Sequence, residues 1–274
     1  MAGGNRLSQA TPVRGLPEAI GRPGPNPFHR LNPLTKATLA TVTAVAAVVL
    51  GGLAGPAILV AVAVIGPALV ARVLGRLVRT ALLLSLPIAL SAFVVNLFFL
   101  PGAETVLLRI GPLTATAEGL AFALEILARI LAISGAITLF YLTTRPGDLV
   151  VDLERRGISP RVAFVANASV QTVPAMVERA AQITAAQRAR GLDTEGSIWR
   201  RSRGVLPIVG PVILGSIAEV EERTMALEAR GFTRPGRRTL LWAPSDSAVQ
   251  GVARWALVLA LIALIVARVA GIWP

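Results

Sequence analysis

The tripeptide Ala-Arg-Gly occurs twice, as Ala189-Arg190-Gly191 and Ala229-Arg230-Gly231, forty residues apart, followed by Leu192 and Phe232 respectively. Glycine is the usual residue just past a helix end, and a basic residue there complements the negative end of the helix dipole. For one copy in an Arg- and Ala-rich sequence, helix stopping is explanation enough. Two copies, each closing a long predicted helix, point further. An arginine on the last turn projects beyond the helix end, and its planar five-donor fork suits a carboxylate. Alanine before it and glycine after it keep the tip narrow. Two such tips could plug two grooves on two partner subunits.

Other chemistry is limited by what the chain lacks. There is no cysteine, which excludes disulfides, zinc ribbons and thiol catalysis. The single histidine, His29, lies in a Pro/Gly-rich stretch and offers no metal site or triad. The single lysine, Lys36, follows Thr35, so no GxxxxGK[ST] phosphate loop exists. No catalytic residue, metal or cofactor is therefore expected of the chain itself. Glu125 and Arg129 stand four apart in an apolar stretch, acid first, the favourable helical order. Ion coupling is one reading of that pair; a self-neutralised structural pair is the preferred one. Asn96 is read as an interhelical hydrogen bond. Asp148, Asp152 and Glu154 with Arg155 and Arg156 are read as a solvated helix face, and Arg200, Arg201 and Arg203 as a contact for anionic lipid.

The elements that must position these groups are apolar helices. The 274 residues are 54% hydrophobic and only 15% charged, which indicates a chain whose main solvent is lipid. The net charge of +12 suggests nucleic acid at first sight, but the low charge density argues against it. Residues 1–30 hold five prolines and five glycines and read as a disordered cytoplasmic tail without a cleaved signal. Ala37 to Ala71 carries no charge and is broken at Gly51-Gly52-Leu53-Ala54-Gly55-Pro56, giving two short spans, about 37–52 and 56–72, or a re-entrant hairpin. Thr80–Leu100, with Pro87 inside, is a third span. A semi-apolar loop at 101–117 carries Arg109, and a fourth span covers about 119–142. Val252–Ile272, flanked by Trp255 and Trp273, is a fifth.

Basic residues set the orientation. Five lie in the tail through Lys36, three (Arg72, Arg76, Arg79) between spans, and fifteen in 143–249, while Arg109 stands alone on the other side. The positive-inside rule then places the N-terminus in the cytoplasm and, after five crossings, the C-terminus outside. Domain boundaries follow: tail 1–30, transmembrane helices 1–4 in 31–142, a cytoplasmic region 143–249, and the last span in 250–274. The cytoplasmic region reads as three helices, about 146–157, 160–190 and 205–230. The second carries small residues (Ala175, Ala180, Ala181, Ala185, Ala186, Ala189) suited to close helix approach. The third is apolar to Ala218 and charged from Glu219 onward.

At this point the chain resembles the T component, the transmembrane coupling subunit, of energy-coupling factor (ECF) transporters, the CbiQ/EcfT family. The resemblance covers about 28–272. It rests on His29-Arg30-Leu31-Asn32-Pro33-Leu34-Thr35-Lys36, on Thr144-Arg145-Pro146-Gly147-Asp148-Leu149 running into Gly157-Ile158-Ser159-Pro160, and on the paired Ala-Arg-Gly ends, with Phe232 to Thr239 extending the second. Asn32-Pro33-Leu34 departs from the Asp-Pro-Arg-like form common in the family. The resemblance implies an all-α protein of the prokaryotic cell membrane, with about five spans and three coupling helices. It implies two ABC-type ATPases as partners, with Arg190 and Arg230 inserting into a groove on each. It also implies a membrane-embedded, substrate-binding S component that delivers a vitamin or transition-metal ion. Periodicity and the family likeness together put Val173, Met176, Val177, Val205, Ile208, Val209, Val212 and Ile213 on the S-facing surface. The competing reading is a stand-alone secondary transporter or channel using Glu125 and Arg129 as its ion site.

Overall fold

A computed structural model of the chain describes residues 26–100, 105–110, 113–191, 198–234 and 244–271. Most of the N-terminal tail, Trp273 and the Pro235–Thr239 extension of the second Ala-Arg-Gly end lie outside these, as do the side chains of Arg200, Arg201, Arg203 and Val205. The chain divides into two compact units, Met1–Leu149 with Pro244–Pro274, and Val150–Ala243.

In the first unit, helix α1 (Pro33–Val49) begins with proline at its first position and with Asn32 as N-cap, whose side chain accepts from the Leu34 N–H at 2.9 Å. The asparagine that departs from the family pattern thus keeps the acceptor a helix start needs. Gly52, at φ +73°, makes the turn that follows. The next apolar stretch is one helical run of three parts: α2 (Ala54–Leu59), a π-helical turn at Val60–Ile65, and α3 (Gly66–Val70). Pro67 has no N–H to give the carbonyl four residues back, and the turn just before it is the one that widens.

Helix α3 stops in a Schellman motif: Arg72 N–H donates to the Leu69 carbonyl and Val73 N–H to the Ala68 carbonyl, both at 3.0 Å. Arg72 takes the left-handed position, φ +56°, and is the one non-glycine with positive φ among the described residues. That conformation costs an L-residue about 1 kcal/mol relative to glycine.

Helix α4 (Leu74–Phe99) starts six residues before the expected span, so Arg76 and Arg79 lie on its first turns rather than in a loop. The loop expected at 101–117 holds a two-stranded antiparallel hairpin, β1 (Val106–Ile110) and β2 (Leu113–Thr116), with Arg109 opposite Thr114. The fold is therefore helical with one small sheet. Helix α5 (Ala117–Thr143) crosses α4 and α1, and α9 (Ala248–Val269) lies on α1. Glycine permits these crossings. A Cβ on Gly119 would come within 2.8 Å of the Leu97 carbonyl oxygen, and one on Gly135 within 2.8 Å of Val64 in the π-turn. The core collects around Phe28, Val64, Ala68, Leu77, Ala136 and Leu139.

Among the described residues, α4, α5 and α9 are long and apolar enough to cross a membrane, and Pro33–Val49 and Ala54–Val70 are shorter apolar helices. Their outer faces expose large apolar side chains such as Leu83, Leu84 and Ile88. Such surface is stable against lipid and costly against water. Asn96 donates to the Ala92 carbonyl of its own helix at 2.7 Å rather than across helices. A mid-helix amide with a carbonyl one turn back satisfies itself locally.

The second unit holds most of α6 (Pro146–Arg155), with α7 (Pro160–Ala189) and α8 (Ile198–Ala229). Pro174 leaves α7 continuous, and Pro207 and Pro211 lie well inside α8, which begins seven residues before the expected start. Asp152, expected on a solvated face, is 1% exposed and pairs with Arg156 at 3.1 Å.

Candidate functional site

Helices α7 and α8 run antiparallel. Near one end Phe164 meets Phe232 edge-on, with ring centroids 5.0 Å apart; near the other, Gln187 reaches the Pro207 carbonyl at 3.4 Å. Between these contacts Arg179 pairs with Glu219 at 2.7 Å, and Glu219 also pairs with Arg223 at 2.8 Å.

Both Ala-Arg-Gly segments end these helices in the same way. Arg190 is the C-cap of α7, and Gly191 follows at φ +89°, donating to the Arg188 carbonyl at 2.9 Å. Beyond α8, Gly231 sits at φ +70°; its N–H donates to the Glu228 carbonyl, and the Phe232 N–H to the Leu227 carbonyl, each at 2.9 Å. These are the bonds of a Schellman motif, with Arg230 at the C-cap and Phe232 as the apolar residue that secures it. Glycine is required at both left-handed positions. Ala189, Arg190, Gly191, Ala229, Arg230 and Gly231 are all exposed. Neither arginine has a carboxylate partner among the described residues. Each fork therefore keeps its donors available.

The two tips are not brought together. Arg190 lies eleven residues past Arg179, and Arg230 eleven residues past Glu219. With the helices antiparallel, the tips point away from that ion pair in opposite directions, about 33 Å apart at 1.5 Å per residue.

The apolar residues expected on a partner-facing surface are mostly open. Val173, Met176, Val177, Val209 and Ile213 are exposed, and Ile208 and Val212 are half-buried. Val173 lines a groove of about 470 Å³ with Phe164, Ser169, Val220, Thr224 and Leu227. Leu214, Ile217 and Val220 widen this apolar surface on α8; their repeated spacing of three is the signal that would have included them. Of the six α7 alanines expected to suit close helix approach, Ala180 is half-buried and Ala175, Ala181, Ala185, Ala186 and Ala189 are exposed, while Ala163 is the buried residue of that helix.

Two groups of the first unit gain roles that sequence reasoning missed, and a third, the expected Glu125–Arg129 pair, gains a further contact. Lys36 is buried; its Nζ donates to the Thr143 carbonyl at 2.8 Å and the His29 carbonyl at 3.1 Å, above the Phe28 ring. It thereby binds the end of α5 to the start of α1. Gln250 accepts from the buried Asn32 N–H at 2.7 Å, and Arg254 joins Asp246 at 2.9 and 3.0 Å and Thr35 at 3.0 Å, fixing the start of α9 beside the start of α1. Arg129 is ion-paired with Glu125 and donates to the Leu50 carbonyl at 3.1 Å, so the pair holds the α1–α2 turn. A lone lysine or arginine beside an apolar run is the signal that points to such ties.

A family model described as CbiQ, cobalt transport protein, matches residues 24–240. The chain is similar to the energy-coupling factor transporter transmembrane protein EcfT of Brevibacillus brevis, 31% identical over 255 residues, covering 85% of this chain and 94% of that protein. With EcfT of Bacillus selenitireducens it shares 30% identity over 248 residues, covering 84% and 90% of the two chains. With EcfT of Thermosediminibacter oceani it shares 28% over 229 residues, covering 79% and 84%.

Proposed function

The chain belongs to the CbiQ/EcfT family of ECF-transporter T components, and from that premise we propose that it is the non-catalytic coupling subunit of an ATP-driven micronutrient importer. Two ABC-type ATPase subunits dock on the tips at Arg190 and Arg230. A membrane-embedded S component, which binds the vitamin or transition-metal ion, rests on the apolar surface of α7 and α8 around Val173, Met176, Val177, Ile208, Val209, Val212 and Ile213. The chain crosses the plasma membrane of a prokaryote five times, through α1, the α2–α3 run, α4, α5 and α9, with the N-terminus and residues 143–249 in the cytoplasm.

One observation carries this reading. Two equally capped, exposed arginine tips stand about 33 Å apart at opposite ends of one helix pair. One groove cannot hold both at that distance; two motor subunits can. The alternative, a stand-alone transporter with Glu125 and Arg129 as its ion site, has less support. Both side chains are already engaged, with each other and with the Leu50 carbonyl.

Co-purification from native membrane tests the proposal. The wild-type chain should bring down two ATPase subunits. Arg190→Glu with Arg230→Glu should reduce their recovery at least tenfold while membrane insertion is unchanged. Each single change should cost less than the pair, because two linked contacts reinforce one another. Full ATPase recovery with the double variant excludes docking through these tips.

A further inference from the structure

The three arginines at the start of α4 play no part in the coupling just described. Arg72, Arg76 and Arg79 are all exposed, and none has a carboxylate partner among the described residues. Arg76 and Arg79, three residues apart, are neighbours on the helix surface, and Arg72 closes the turn just before it. On the next turns Val78, Leu82, Leu83 and Leu86 expose between 44% and 66% of their surface. A stripe of cations thus runs directly into apolar surface, the arrangement that suits a molecule with an anionic head and an apolar tail.

Arg72 adds a second argument. In the described chain the left-handed position after a helix is otherwise glycine: Gly157, Gly191, Gly231 and Gly271. After α3 it is arginine, in a motif with the same hydrogen bonds as the one after α8. Glycine would relax the backbone there, so the side chain is what the position retains. The surroundings are cationic as well. Burial first, and then the charges of Lys36, Arg76 and Arg145, push His29 below its ordinary pKa. Of the acids near this end of the unit, Asp148 lies in the field of Arg145 and Lys36, and Asp246 is paired with Arg254.

We propose that Arg72, Arg76 and Arg79 bind the phosphate of an anionic phospholipid, whose acyl chains lie along Val78, Leu82, Leu83 and Leu86. The site requires only that the chain sits in a bilayer, and it stands or falls apart from ATPase docking.

The test uses the full chain in nanodiscs of equal parts phosphatidylglycerol and phosphatidylcholine with matched acyl chains, and native mass spectrometry of the lipid retained. The wild-type chain should keep phosphatidylglycerol in about tenfold preference, since each basic side chain near a membrane surface contributes severalfold. Arg72→Gly with Arg76→Gln and Arg79→Gln should bring the ratio near parity. Arg109→Gln, beyond the other end of α4, should leave it unchanged. Arg72→Gly alone should lower the preference yet raise the melting temperature, a split that a purely structural arginine would not give. Parity in the wild type, an unchanged ratio in the triple variant, an equal loss with Arg109→Gln, or displacement of the lipid by millimolar inorganic phosphate would each overturn the proposal.

Discussion

Lys36 shows how much one side chain can fix in an apolar protein. Two backbone carbonyls from distant segments, at His29 and Thr143, share its ammonium group. Methionine matches the length of the side chain but donates nothing, and leaves both carbonyls short of a partner. Lys36→Met should therefore destabilise the chain by about 1–2 kcal/mol, read as a lower melting temperature in detergent. A melting point within error of the wild type would show that the contact contributes nothing. In the sequence this residue enters as a lysine in the wrong context for a phosphate loop, as one of the basic residues that set orientation and as the end of the entry motif, and none of these gives it a structural tie. Its partners are main-chain oxygens more than a hundred residues apart in one case, and no local pattern announces them. The tips at Arg190 and Arg230 were legible because Ala-Arg-Gly is a local signal and recurs. Asp152 was misjudged for the opposite reason: neighbouring charges suggested a wet face, while packing buries that carboxylate beside Arg156.

At the level of elements, proline and glycine punctuation located most boundaries. Pro146, Gly157 and Pro160 mark the limits of α6 and the start of α7 within a residue or two. The same residues misled within α8, where Pro207 and Pro211 suggested a start and instead lie inside a 32-residue helix. The hairpin at Val106–Thr116 was missed because its strands are only five and four residues long. The π-turn at Val60–Ile65 changes hydrogen bonding without changing composition, and no periodicity over six residues reveals it. Glycine positions are more telling once their neighbours are known. Gly119 faces backbone oxygens of Leu97 and Asn96, which cannot step aside, whereas Gly215 faces open space. Gly119→Ala should cost about 1–3 kcal/mol by forcing α4 and α5 apart. Gly215→Ala should be neutral or slightly stabilising, because alanine is the better helix former. Thermal denaturation of the two variants side by side checks the contrast, and equal melting temperatures would count against the tight α4–α5 crossing.

For the molecule as a whole, composition settled the solvent and motif settled the family, while the arrangement of the two tips needed coordinates. The absence of cysteine makes that arrangement measurable, since labels attach only where cysteine is introduced. Spin labels on Arg190→Cys and Arg230→Cys should report a distance between about 30 and 40 Å by electron–electron resonance, from 22 residues of rise plus the label arms. A distance under 20 Å would contradict the antiparallel pair. The Arg179–Glu219 contact has a consequence of its own. It lies midway between the tips, and its side chains are 36% and 38% exposed, so it contributes at most about 1 kcal/mol and resists rotation only weakly. Phe164 against Phe232 and Gln187 against the Pro207 carbonyl hold the same pair nearer its ends, so the two helices are riveted three times and a push on one tip is carried to the other, about 33 Å away.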